Sequence, residues 1–109
     1  MSQVSQVAII GGGIMGGDIA TVFAARGWRV HVMSPSQKTR DALGARLTAG
    51  LKKINADAAC AKHVAVHARL GDIAWQGIDL VIEAVTEDLP LKQKLFAQLE
   101  TLVRPDTPI

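Results

Sequence analysis

Apolar and polar positions follow two periods along the chain. Gln6 to Ile10 is a short apolar run ending in three glycines, Arg29 to Met33 is rich in Val, and Leu80 to Val85 is apolar behind the turn residue Asp79. Such runs read as strands of a parallel sheet covered on both faces. Between them the spacing changes. Met15, Ile19, Val22, Phe23 and Arg26 fall near a 3.6-residue period, which predicts a helix that Gly27 stops. From Ser36 onward Leu43, Leu47, Leu51 and Ile54 mark one face of a helix of about four or five turns. Asn55 to Lys62 is Ala-rich and reads either as the frayed end of that helix or as a short loop, and Val64 to Arg69 suits a third strand. From Pro90, Leu91, Leu95, Phe96, Leu99, Leu102 and Val103 mark a last helix, which Pro105 stops. The order βαβα, β, then βα predicts an α/β fold, a Rossmann-like doubly wound parallel sheet. Pro105 to Ile109 reads as a turn and the first residue of a fifth strand, so the sheet is expected to be truncated before its second half is complete.

Composition narrows the function classes. The 109 residues are 49% hydrophobic and 20% charged, which suits one domain with a single core. The net charge of +2 comes from scattered basic residues, so no nucleic-acid partner is expected. The aromatics Phe23, Trp28, Trp75 and Phe96 are too few to stack bases. No apolar run reaches the roughly 18 residues of a membrane span, so no membrane partner is expected. Cys60 has no second cysteine for a disulfide or a metal, which fits a small buried thiol in a reducing, cytoplasmic setting.

The chemistry sits in the first turn. Gly11-Gly12-Gly13-Ile14-Met15-Gly16 matches G-x-G-x-x-G between a predicted strand and a predicted helix, the context that gives the pattern its meaning. Gly11 permits the tight turn, Gly13 lets backbone approach a pyrophosphate, and Gly16 lets the helix pack against the strand. Amide groups at the helix start then face the phosphates. Residues 1–109 therefore read as the amino-terminal part of a dinucleotide-binding domain. An acidic residue about twenty positions on would hold the adenosine ribose, and that place is taken by Ser34. Without the carboxylate, NAD is joined by NADP as a candidate cofactor, with Lys38 or Arg40 supplying charge to a 2'-phosphate. Ser34-Pro35-Ser36-Gln37 also reads as a capping box with Ser34 as the cap, so ribose contact and helix cap both stand.

With the glycine turn, the segments Val7 to Gly16 and Leu80-Val81-Ile82-Glu83-Ala84-Val85-Thr86-Glu87-Asp88-Leu89 resemble the L-3-hydroxyacyl-CoA dehydrogenase family. The resemblance runs from Val4 to Ile109 and thins between Asn55 and Gly77. It implies a cofactor-binding domain for the reversible oxidation of 3-hydroxyacyl-CoA to 3-ketoacyl-CoA by hydride transfer to NAD. Carried over by residue, it gives Gly11, Gly13, Ile14, Met15 and Gly16 to the pyrophosphate, and Glu87 and Lys92 to the nicotinamide side. Read without the family, Glu87 is an acid favourably placed near a helix start and Lys92 is a solvated side chain. The resemblance also implies a homo-oligomer held through a carboxyl-terminal helical domain, and a catalytic His paired with Glu, all outside these 109 residues.

The sequence departs from the family at several places. Ser34 replaces Asp, and Asp18 replaces a Gly in the phosphate-binding helix, where it either repels the pyrophosphate or faces solvent. Gly50 and Asp57 stand where relatives use Ser and Lys toward coenzyme A, so no CoA contacts are carried over. His31 falls inside a predicted strand, and His63 and His67 lack a third ligand, so no metal site and no catalytic residue are assigned. Two further readings remain open: a non-catalytic nucleotide-binding module, grounded on Asp18 and Ser34, and a sister dehydrogenase for another small 3-hydroxy acid.

Overall fold

A computed structural model describes residues 4–11, 13–84 and 89–109, leaving aside the side chains of Leu89 and Leu91. The elements run β1 (Gln6–Ile10), α1 (Ile14–Ala25), β2 (Arg29–Met33), α2 (Gln37–Lys53), a 3-10 helix (Ala58–His63), β3 (Val64–His67), two single 3-10 turns, β4 (Leu80–Glu83) and α3 (Leu89–Leu102). All strand pairs are parallel and the order is β3-β2-β1-β4, with Val7 opposite both Val30 and Leu80. That order is the doubly wound arrangement the alternation predicted.

Two cores lie on the two faces of the sheet. Val7, Ile9, Val30 and Val32 meet Ala20 and Ala24 of α1 and Leu43 and Leu47 of α2. On the opposite face Ala8, Ile10 and Val81 meet Ile73, Trp75 and Ile78 of the β3–β4 connection and Leu95 and Leu99 of α3. The strands of β1 and β4 are therefore apolar because both of their faces are covered. Each fully buried Val, Leu or Ile contributes about 1.5–3 kcal/mol. Trp28 packs edge-on against Phe23 at 4.9 Å on the first face, while Trp75 on the second donates its indole N–H to the Leu70 carbonyl at 2.8 Å.

Several elements differ from the sequence expectation. Met15 and Val22, expected on the inner stripe of α1, are exposed, and the buried stripe is Gly16, Gly17, Ala20, Thr21 and Ala24. Small residues win that face because α1 lies close to β1 and to α2: a Cβ on Gly17 would already touch Leu43 at 3.5 Å. α2 starts at Gln37, capped by Ser36, whose hydroxyl accepts the Thr39 N–H at 3.2 Å. Ser34 is thus not the cap. α2 ends at Lys53, where Asn55 takes φ 57° and lets the Ala56 amide donate to the Leu51 carbonyl at 2.8 Å. Ile54 is left exposed, and the ambiguous segment that follows forms the 3-10 helix capped by Asp57. β3 stops at His67, two residues before Arg69, and Phe96 lies at the exposed edge of α3. β4 stops at Glu83, and Val85 lies outside the described residues.

The end of α3 is tied back to the sheet. Arg104 and Thr107 both donate to the Ile78 carbonyl, and the Val81 amide donates to the Pro108 carbonyl at 2.9 Å. Pro108 thereby lies beside β4 on the edge away from β1, where the sequence predicted a fifth strand to begin.

Candidate cofactor site

The glycine turn connects the carboxyl end of β1 to α1, and each described glycine has its own reason to be there. Gly11 takes φ 111°, a left-handed conformation open to glycine, and its amide donates to the Met33 carbonyl at 2.8 Å, pinning the turn to the end of β2. A Cβ on Gly16 would overlap the Gly11 carbonyl, so α1 crosses the turn at a distance only glycine allows. Gly13 caps α1 without a side chain, and the direction its Cβ would take has nothing within 4 Å. The first intrahelical bond runs from the Gly17 amide to the Gly13 carbonyl, so the amides of Ile14, Met15 and Gly16 have no carbonyl of the helix to bond. The Ile14 and Met15 side chains stay outside, 68% and 67% exposed. A concave row of amides beside open space fits a pyrophosphate. Gly12 lies outside the described residues.

Ser34 follows β2 and is buried. Its amide donates to the His67 carbonyl at 3.0 Å, its hydroxyl accepts from the Ser36 amide at 3.4 Å, and its carbonyl accepts from Arg40 Nη1 at 2.7 Å. Lys92, on the first turns of α3, pairs with Glu83 at the end of β4 across 3.5 Å, both partly buried. This replaces the solvated reading of Lys92 with an ion pair beside the β1–β4 crevice, since Glu83 stands opposite Ile10. Glu87 lies outside the described residues.

On the α3 face a cleft of about 640 Å³ opens at the carboxyl ends of β1 and β2. Ile10, Met33 and Leu95 form part of its apolar wall, Pro35 and Gln98 flank it, and Arg69 and Lys94 bring positive charge. Among the described residues no carboxylate lines it. An apolar slot next to a glycine turn suits a flat heterocycle such as adenine. The sequence reading missed Arg69, Lys94 and Gln98. Lys94 and Gln98 stand four apart on one helix face, a signal within reach, whereas Arg69 enters only through the placement of β3.

None of the three histidines lines this cleft. His31 Nε2 donates to the Gln6 side-chain oxygen at 2.9 Å, so its Nδ1 accepts from His67 Nε2 at 3.1 Å. His63 instead donates to the Ala24 carbonyl at 3.3 Å. His63 and His67 are thus separately engaged, and no metal-binding cluster exists among the described residues. Asp18 is exposed, and Gly50 packs on Thr21 where a larger residue would collide.

Known proteins resemble this chain in sequence and fold. A probable 3-hydroxyacyl-CoA dehydrogenase of Caenorhabditis elegans is 35% identical over 98% of the chain. The 3-hydroxyadipyl-CoA dehydrogenase of Escherichia coli is 39% identical over 98% of it. The crystal structure of 3-hydroxybutyryl-CoA dehydrogenase from Escherichia coli superposes with a TM-score of 0.79 at 32% identity, covering 97% of the chain and 24% of that structure. The chain spans 38% of the length of the first relative and 24% of the second. Residues 6–109 match the family described as 3-hydroxyacyl-CoA dehydrogenase, NAD binding domain, and the chain belongs to that family.

Proposed function

We propose that this chain is the cofactor-holding part of an oxidoreductase that interconverts a 3-hydroxyacyl-CoA and its 3-ketoacyl-CoA. The observation that carries this reading is the crossing of Gly16 over Gly11 with open space at Gly13, at the carboxyl end of β1. The bound nicotinamide supplies the hydride acceptor, and the protein supplies binding and orientation. The amides of Ile14, Met15 and Gly16 hold the pyrophosphate, and Ser34 stands at the adenosine ribose. Lys92, held by Glu83, is assigned to the nicotinamide side, and the family resemblance assigns Glu87 there as well. Gly11 shapes the turn that holds these groups together.

Oxidation of the alcohol also needs a base for the hydroxyl proton. We assign that base, and a helical domain for subunit contact, to chain outside residues 1–109, because no histidine lines the cleft and the relatives are longer. The reducing setting suggested by Cys60 supports a cytoplasmic placement. Among the described residues no helix is long and apolar enough to cross a membrane. Calorimetric titration with NADH and NADPH tests the reading: micromolar binding of either is expected, and no binding of either up to about 1 mM overturns it.

A further inference from the structure

The turn after β2 and the start of α2 carry basic side chains and no acidic residue in the helix's first turn. In a doubly wound site an acidic residue there accepts from the adenosine 2'-hydroxyl, and a nearby Arg instead accommodates a 2'-phosphate. Here the position holds Ser34, whose hydroxyl can donate a hydrogen bond and repels no anion. Arg40 folds back from α2 onto the Ser34 carbonyl at 2.7 Å, spending one of five guanidinium donors. Lys38 stands exposed in the first turn of the same helix, and that turn contains no acidic residue. Cations are unfavourable at a helix amino terminus, so this pair opposes the helix dipole until an anion joins it. The cleft that Pro35 borders is lined by Arg69, which follows β3, and by Lys94 of α3. Lys38, Arg40, Arg69 and Lys94 take no part in the ion pairs formed among the described residues. Asp41, next to Arg40 in sequence, is exposed and does not line the cleft.

We propose that this corner receives a 2'-phosphomonoester, so that the chain binds NADP(H) in preference to NAD(H). The inference rests on the reading of the glycine turn as a dinucleotide site, and its test separates the two. Calorimetry of the protein compares adenosine 2',5'-bisphosphate with adenosine 5'-monophosphate, and then NADPH with NADH. The 2'-phosphorylated member of each pair is expected to bind at least about tenfold tighter, as charge-assisted bonds to guanidinium require. Its affinity also falls more steeply with added salt. Ser34→Asp reverses the ratio, and Arg40→Gln weakens NADPH more than NADH. Because Ser34 is buried and its replacement can disturb folding, the comparison on the unmodified protein decides by itself. If the unphosphorylated members bind as tightly or tighter, the 2'-phosphate proposal falls while the dinucleotide site stands. If no nucleotide binds, both fall.

Discussion

A carboxylate added at Gly13 would stand in open space, so on the proposed reading it meets the pyrophosphate rather than protein. Gly13→Asp is therefore expected to keep the fold, with its melting temperature within a few degrees of the parent, and to lose NADH and NADPH binding by calorimetry. Loss of the fold together with binding would show that Gly13 serves the turn itself. Gly11 and Gly16 differ from it in kind, since one needs a left-handed backbone and the other a close crossing. The turn at Gly11 and the close crossing at Gly16 were legible in the sequence, because the spacing of the motif fixes which glycine meets strand and which meets helix. Ser34 was legible only in part. Its place at the end of β2 followed from counting, but the helix cap belongs to Ser36, and the difference turns on where one backbone amide points.

At the scale of elements, the crossing of α1 and α2 depends on what is missing from their side chains. A Cβ on Gly50 would stand 2.9 Å from Thr21 Oγ1 and 3.0 Å from its Cγ2. Thr21 has little room to yield, being buried and bonded back to the Gly17 carbonyl at 2.8 Å. Gly50→Ala is thus expected to lower unfolding stability by about 1–3 kcal/mol despite the higher helix propensity of Ala. Urea denaturation checks it, and an unchanged or raised midpoint would show that the helices can part at no cost. The same crossing explains why the inner face of α1 was misread. Periodicity of large apolar residues pointed to Met15 and Val22, yet the close approach selects Gly16, Gly17, Ala20 and Ala24, whose small size leaves little hydropathy signal. The Leu stripe of α2, by contrast, was read correctly at Leu43, Leu47 and Leu51, large apolar residues that are all buried.

Across the whole molecule, Gln6, His31 and His67 connect three strands by side-chain bonds that no single segment reveals, because they exist only in the parallel register. Burial first, then His67 and Arg29, holds the His31 pKa below its ordinary 6.5. Between that lowered value and 6.5 the unfolded chain binds more protons than the folded one, so this contribution to stability is full above 6.5 and is lost as pH falls through the lowered value. Urea midpoints at about pH 8 and about pH 5 should therefore fall less for His31→Asn than for the parent, and equal falls would remove His31 as the cause. The covering of the sheet on both faces has a spectroscopic consequence. Trp28 belongs to the α1–α2 layer and Trp75 to the layer on the opposite side. Each layer thus carries its own intrinsic fluorophore, and replacing either indole leaves an optical record of whether the two halves of the sandwich melt as one cooperative unit or in succession.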